Sequence, residues 1–226
     1  MKALKKRGLH PRIFERTLIY VPIIHTLSDM GALGESVRRS TLMKIGKQSM
    51  NRKLDLINNV WTEIEKVING LVLPYENVRL YQDGLPVCGK EVQIVTELAK
   101  TGSRNHQLLA RLMKRGAKLM GTESSDLLVE EYELINQMLS AGNIPEKGMR
   151  TARQKDGGTA LQKRAADQLL KKRDRYIAGR INTTLGKGET GILFLGMLHS
   201  PQSLLDRNIR VIYPVRRILF QGGYAR

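Results

Sequence analysis

His25, Asp83, Glu123 and His199 each close an apolar run: TLIYVPIIH, VRLYQD, AKLMGTE and GILFLGMLH. Imidazoles and carboxylates are the groups that move protons near neutral pH and that ligate divalent metals. His25, Glu123 and His199 offer two imidazoles and one carboxylate. That set suits Zn, Mn, Co or Fe, with a further position for water, which the metal would acidify. The same residues suit a metal-free route, in which a histidine oriented by Glu123 activates water. No HExxH or CxxC spacing decides between the two.

Residues this far apart act together only if the fold gathers them. The apolar runs are short and β-branched, as buried strands are, and helical stretches separate them. The order predicts an α/β fold: a central, mostly parallel sheet of about four to six strands, with helices on both faces and a helical insert. Strands that run one way bring their carboxyl ends to one edge, where ligands bind. Residues 1–16 read as a basic arm and 17–226 as one domain, with the insert at about 85–185. Pro22 inside the first run suggests an outer or short strand. A long helix follows, broken near Gly46, with Leu54, Ile57, Trp61, Ile64 and Ile68 on one stripe. Helices are predicted within 90–115 with a break at TGS, over 124–140, and over 159–185.

On that last helix the stripe runs through Ala166, Leu169, Leu170, Ile177 and Ile181, and Arg173 falls on it. A cation on a core-facing stripe needs an anionic partner, unless it snorkels out to water. In the metal-free route it would stabilise developing negative charge. Asp174, beside it, has a local pairing open to it. His10 lies in the arm, and His106 reads as a residue on a helix surface; neither receives a role.

The segment RDRYIAGRINTTL…GILFLGMLHS resembles the C-terminal signature of the TraB/GumN-type superfamily, which includes TIKI, ChaN-like and erythromycin esterase-like proteins. Arg173, Asp174 and Ala178 match its helix part, and Gly196 and His199 its Gly-x-x-His strand part. The resemblance implies an α/β site used for hydrolysis in several members and for haem or iron in others. His25 and Glu123 are similarly placed to its upstream histidine and acid. Asp83 precedes Gly84 in an ordinary turn signal, so Glu123 is the preferred carboxylate. The expected function is therefore hydrolase-like, with His25, Glu123, Arg173 and His199 as the site.

A net charge of +17 draws anionic partners, whether a small substrate or nucleic acid, and the alternative reading is a non-catalytic polyanion binder. Only 5% of residues are aromatic, which leaves few stacking platforms for single strands. The single cysteine, Cys88, excludes an internal disulfide framework. No run approaches the roughly 20 apolar residues of a membrane span, and the expected compartment is the cytoplasm. GKGETG lacks Walker spacing, and neither GxGxxG nor GxSxG occurs where its fold would need it. No heptad or internal repeat is present.

Overall fold

The computed structural model describes residues 15–30, 33–140 and 160–215. Five strands, β1 (Arg16–Ile23), β2 (Val78–Gln82), β3 (Lys118–Met120), β4 (Thr190–Gly196) and β5 (Ile209–Ile212), form one sheet in the order β3-β2-β4-β1-β5. Every pairing is parallel. The helices are α1 (Leu33–Asn69), α2 (Glu91–Lys100), α3 (Arg104–Lys114), α4 (Ser125–Ser140) and α5 (Ala160–Thr184). The α/β class and the parallel sheet are as the alternation predicts. The segment between 85 and 185 supplies edge strand β3 as well as helices. Residues 1–14 of the arm, the whole 141–159 connection and the tail from 216 lie outside the described residues.

Alternation along the strands sorts side chains onto two cores. Ile19, Val21, Ile23, Val78, Leu80, Ile192 and Phe194 face one way and meet Trp61, Ile64 and Ile68 of α1, Val95 of α2 and Leu108, Leu109 and Leu112 of α3. Leu18, Tyr20, Tyr81, Leu193 and Leu195 face the other way and meet Ile177 and Ile181 of α5. Travelling from β1 through β2 to β3, the chain crosses over the first face. Returning from β3 to β4 it crosses over the second. Reversing both direction and face preserves the right-handed crossover.

Pro22 does not mark an outer strand. β1 is interior, between β4 and β5. The proline is tolerated because β5 pairs only with Arg16 to Ile19, so at Pro22 the ladder continues on the β4 side alone. The long helix kinks at Gly46, whose φ of 74° is left-handed. Trp61 then reaches back from α1, and its indole N–H donates to the carbonyl of Ile24 at 3.1 Å. That bond fixes the chain one residue before His25.

Candidate functional site

The connection after β1 leaves over one face. After β4 the chain turns to a short helical turn, Pro201–Leu204, that packs on α5 over the other face. β4 lies between β1 and β2, so the direction of winding switches on both of its flanks. Such a switch leaves a crevice outside the carboxyl ends of the strands. His25, Asp83 and His199 follow β1, β2 and β4, the three strands that meet there.

Asp83 is the centre of the group and is buried. Its Oδ2 lies 2.8 Å from His25 Nε2 and accepts the Gly196 N–H at 2.9 Å. Its Oδ1 accepts from Arg173 Nη2 at 2.8 Å and lies 3.7 Å from His199 Nε2. A Cβ on residue 196 would stand 2.8 Å from Asp83 Oδ2 and 3.1 Å from His25 Nε2. The glycine of Gly-x-x-His is thus the space into which the acid and the first histidine fit.

Glu123 comes to Asp83 through paired loops. The N–H groups of Thr122 and Glu123 donate to the Leu85 carbonyl, and that of Val87 donates to the Glu123 carbonyl. Glu123 Oε1 accepts the Gly84 N–H at 2.8 Å. Arg173 binds the Glu123 carboxylate through Nε and Nη2, both at 2.5 Å, and Glu131 through Nη1 at 2.7 Å. At 2% exposed it does not snorkel. Asp174, its neighbour on α5, pairs far along the chain: Oδ1 with His199 Nδ1 at 2.7 Å, and Oδ2 with the Ser200 N–H at 2.9 Å.

Burial alone would raise the Asp83 carboxyl, but His199, His25 and Arg173 outweigh it and hold Asp83 well below the usual carboxylate range. Burial, with Asp83 adding to it, keeps Glu123 above its ordinary value against the pull of Arg173. Burial would lower His199, yet Asp83 and Asp174 hold it above the ordinary histidine value. Burial would also weaken the charge on Arg173, and the surrounding carboxylates reinforce it instead.

Beside this group lies a cavity of about 210 Å³ whose lining includes His25, Asp29, Gln82, Asp83, His106 and Glu131 together with apolar side chains. Of the four residues that the sequence points to, His25 lines it; Glu123, Arg173 and His199 stand behind Asp83 and are not among its lining residues. Asp83 and Asp174, which the sequence presents as a turn residue and a local helix partner, belong to the network, and Glu131 joins them through Arg173. Asp83 closes an apolar run as His25 does, and the adjoining Gly84 makes it read as a plain turn. His106 is not on a helix surface: it is 5% exposed and lines the same cavity.

Asp83, Glu123 and His199 each offer a ligand atom, all within 4.8 Å of one another, so this group could hold a metal ion. Asp83 takes the place given to His25 in the expected ligand set. The donor types fit a divalent ion. Arg173 Nη2, however, already lies against both carboxylates and would compete with an ion for them.

Fold and site together define a parallel α/β protein with a buried carboxylate–histidine–arginine network at its switch point. No family model, curated protein or solved structure matches this chain. No described helix is long and apolar enough to cross a membrane.

Proposed function

We propose that this protein is a hydrolase-like acid–base catalyst in which His25 is the reacting base. The observation that carries this reading is the 2.8 Å contact between His25 Nε2 and a buried Asp83 at the wall of a cavity, with the Asp83 carboxyl held well below the usual carboxylate range by His199, His25 and Arg173. An ionised carboxylate has no proton to share, so in the neutral ring His25 Nε2 carries the hydrogen and Nδ1 the lone pair. Nδ1 would take a proton from water or another hydroxyl in the cavity, and Asp83 would stabilise the resulting imidazolium. Arg173 and the Gly196 N–H orient Asp83. With its donors on Glu123, Glu131 and Asp83, Arg173 is a positioning residue rather than one that meets the substrate.

The test is a panel of carboxyl esters, amides and phosphate monoesters. His25→Gln should lower kcat/KM by about 10² to 10⁴-fold, the usual contribution of a general base, with Tm unchanged. Activity retained in that variant would remove His25 from the reaction.

A second reading, a metal centre on Asp83, Glu123 and His199, is favoured by the closeness of their ligand atoms. A bound ion would acidify water and polarise the substrate. Metal retained by protein purified without chelator, and lost in Glu123→Gln, would support it. The polyanion-binding reading draws on the +17 charge, but no lysine or arginine lines the cavity.

A further inference from the structure

The cavity faced by His25 has a second histidine in its wall that the proposed chemistry leaves unused. His106 lies in the first turn of α3, and Ser103 is the buried N-cap of that helix. Ser103 Oγ is hydrogen bonded to Asp29 Oδ1 and lies 2.6 Å from His106 Nδ1. Burial opposes the charge on Asp29, but His106, Ser103 and the Thr26 N–H outweigh it and hold the carboxyl below its ordinary value. An ionised Asp29 must accept, so the Ser103 hydroxyl donates to it. Ser103 then has only lone pairs for His106, and His106 Nδ1 must carry the ring hydrogen. In the neutral ring His106 Nε2 then has the lone pair.

Gln82 adds an acceptor. It shares a face of β2 with Val78 and Leu80 and lines the cavity. Its Nε2 donates to the Asp83 carbonyl at 3.0 Å, which fixes the orientation of the amide. Its Oε1 is buried and has no partner among the described residues. A buried acceptor left unpaired has lost its hydration without a replacement partner, and a donor supplied by a ligand restores one. Three residues that line the cavity thus have an acceptor not used within the protein: His25 and His106, each through the second nitrogen of its neutral ring, and Gln82 through Oε1. Asp29, Asp83 and Glu131 also line it, while Leu85, Ile94, Leu98 and Ile135 make an aliphatic wall.

We infer that this cavity binds a small neutral ligand that donates hydrogen bonds, an amide or alcohol on a short aliphatic body, with its N–H or O–H groups directed to Gln82 Oε1 and His106 Nε2. An anion would set its charge beside Asp29, Asp83 and Glu131 with no lining lysine or arginine to receive it, since Arg173 stands outside the lining and is already taken up by Asp83, Glu123 and Glu131, so the site disfavours it. The basic surface therefore does not describe the occupant. This inference rests on the catalytic reading only in that His25 faces the same space; binding requires no turnover.

The test compares pentanamide, pentan-1-ol and pentanoate at about pH 8, where an ordinary imidazole is neutral. Binding is read from the ring-proton NMR signals of His25 and His106. Pentanamide and pentanol should give saturable shifts at both rings, with pentanoate about tenfold weaker or more, a difference of about 1.4 kcal/mol. Gln82→Met, which keeps the length and removes the acceptor, should weaken pentanamide about fivefold or more. Equal or tighter binding of pentanoate, no saturable shift with pentanamide, or an unchanged affinity in Gln82→Met would each overturn the inference. Should Gln82→Met fail to fold, the amide-to-carboxylate comparison on the wild-type protein still decides. Pentanamide binding without hydrolysis of any panel substrate would sustain this inference and sink the catalytic one. Hydrolysis confined to anionic substrates would do the reverse.

Discussion

The Gly196 N–H and Asp83 Oδ2 are joined by a 2.9 Å hydrogen bond across 113 residues of sequence, and a Cβ at Gly196 would come within 2.8 Å of the same oxygen. The contact leaves no freedom on either side. Asp83 is held there by Arg173 and His25, and Gly196 by the β4 ladder that pairs it with Ile23. Gly196→Ala should therefore push Asp83 and His25 off their geometry. The expected result is loss of most activity, with a stability cost of about 1–3 kcal/mol, as for other overpacked sites. Hydrolysis assays paired with thermal melts check it. A fully active Gly196→Ala protein would show that the His25–Asp83 contact is not needed.

Arg173 carries a larger share of the structural energy. Its guanidinium bridges Asp83, Glu123 and Glu131, and its side chain is only 2% exposed. Removing one partner of a buried ion pair costs about 3–5 kcal/mol because the other charge is left stranded. Arg173→Met should reach that range in urea denaturation. Adding Glu123→Gln to it should recover part of the loss, since one stranded carboxylate becomes neutral. A cost below about 1 kcal/mol would mean that water enters and solvates the acids.

Much of this arrangement is legible before folding. The strand ends at His25, Glu123 and His199 are visible because an apolar run stops abruptly on a polar residue, and Arg173 is visible because it interrupts an apolar stripe. The rest depends on long-range pairing that no local pattern carries. The QDG at Asp83 reads as a turn until Gly196 and Arg173 arrive from more than 80 residues away. Asp174 looks like a local partner of its helix until His199 is brought beside it. His106 looks like a surface residue because its partner Asp29 lies 77 positions upstream, in the turn Leu27–Met30. Pro22 misleads because a proline rule for central strands applies only where both neighbours pair, and β5 ends short of it.

The pH dependence of stability should have two limbs, measured on chelator-treated protein. His199 is held above its ordinary value, so the native state binds its proton more tightly than the unfolded chain does. That stabilisation is complete below about pH 6.5, the ordinary histidine value, and is lost as pH rises through the native one. Asp83 behaves oppositely. Its value is depressed, so its contribution is present above the ordinary carboxylate value and is lost as pH falls through the much lower native one. Urea midpoints should fall on the alkaline side and again in strong acid. His199→Gln should flatten the alkaline limb, and an unchanged limb in that variant would assign the effect to another group.

The basic surface and the cavity should prove separable. The chain carries 38 Lys and Arg against 21 Asp and Glu, yet none of the lining residues is Lys or Arg. Any affinity for duplex DNA should then come from phosphate contacts on the exterior, and log K should fall linearly with log salt, with a slope of about −0.9 per phosphate neutralised. Random-sequence duplexes should bind alike, because sequence readout needs contacts to base edges. His25→Gln, which should lower kcat/KM about 10² to 10⁴-fold, should leave both affinity and slope unchanged in fluorescence-anisotropy titrations. If His25→Gln instead weakened DNA binding, or if DNA displaced pentanamide, the nucleic acid would have to enter the cavity. The polyanion reading would then replace the catalytic one.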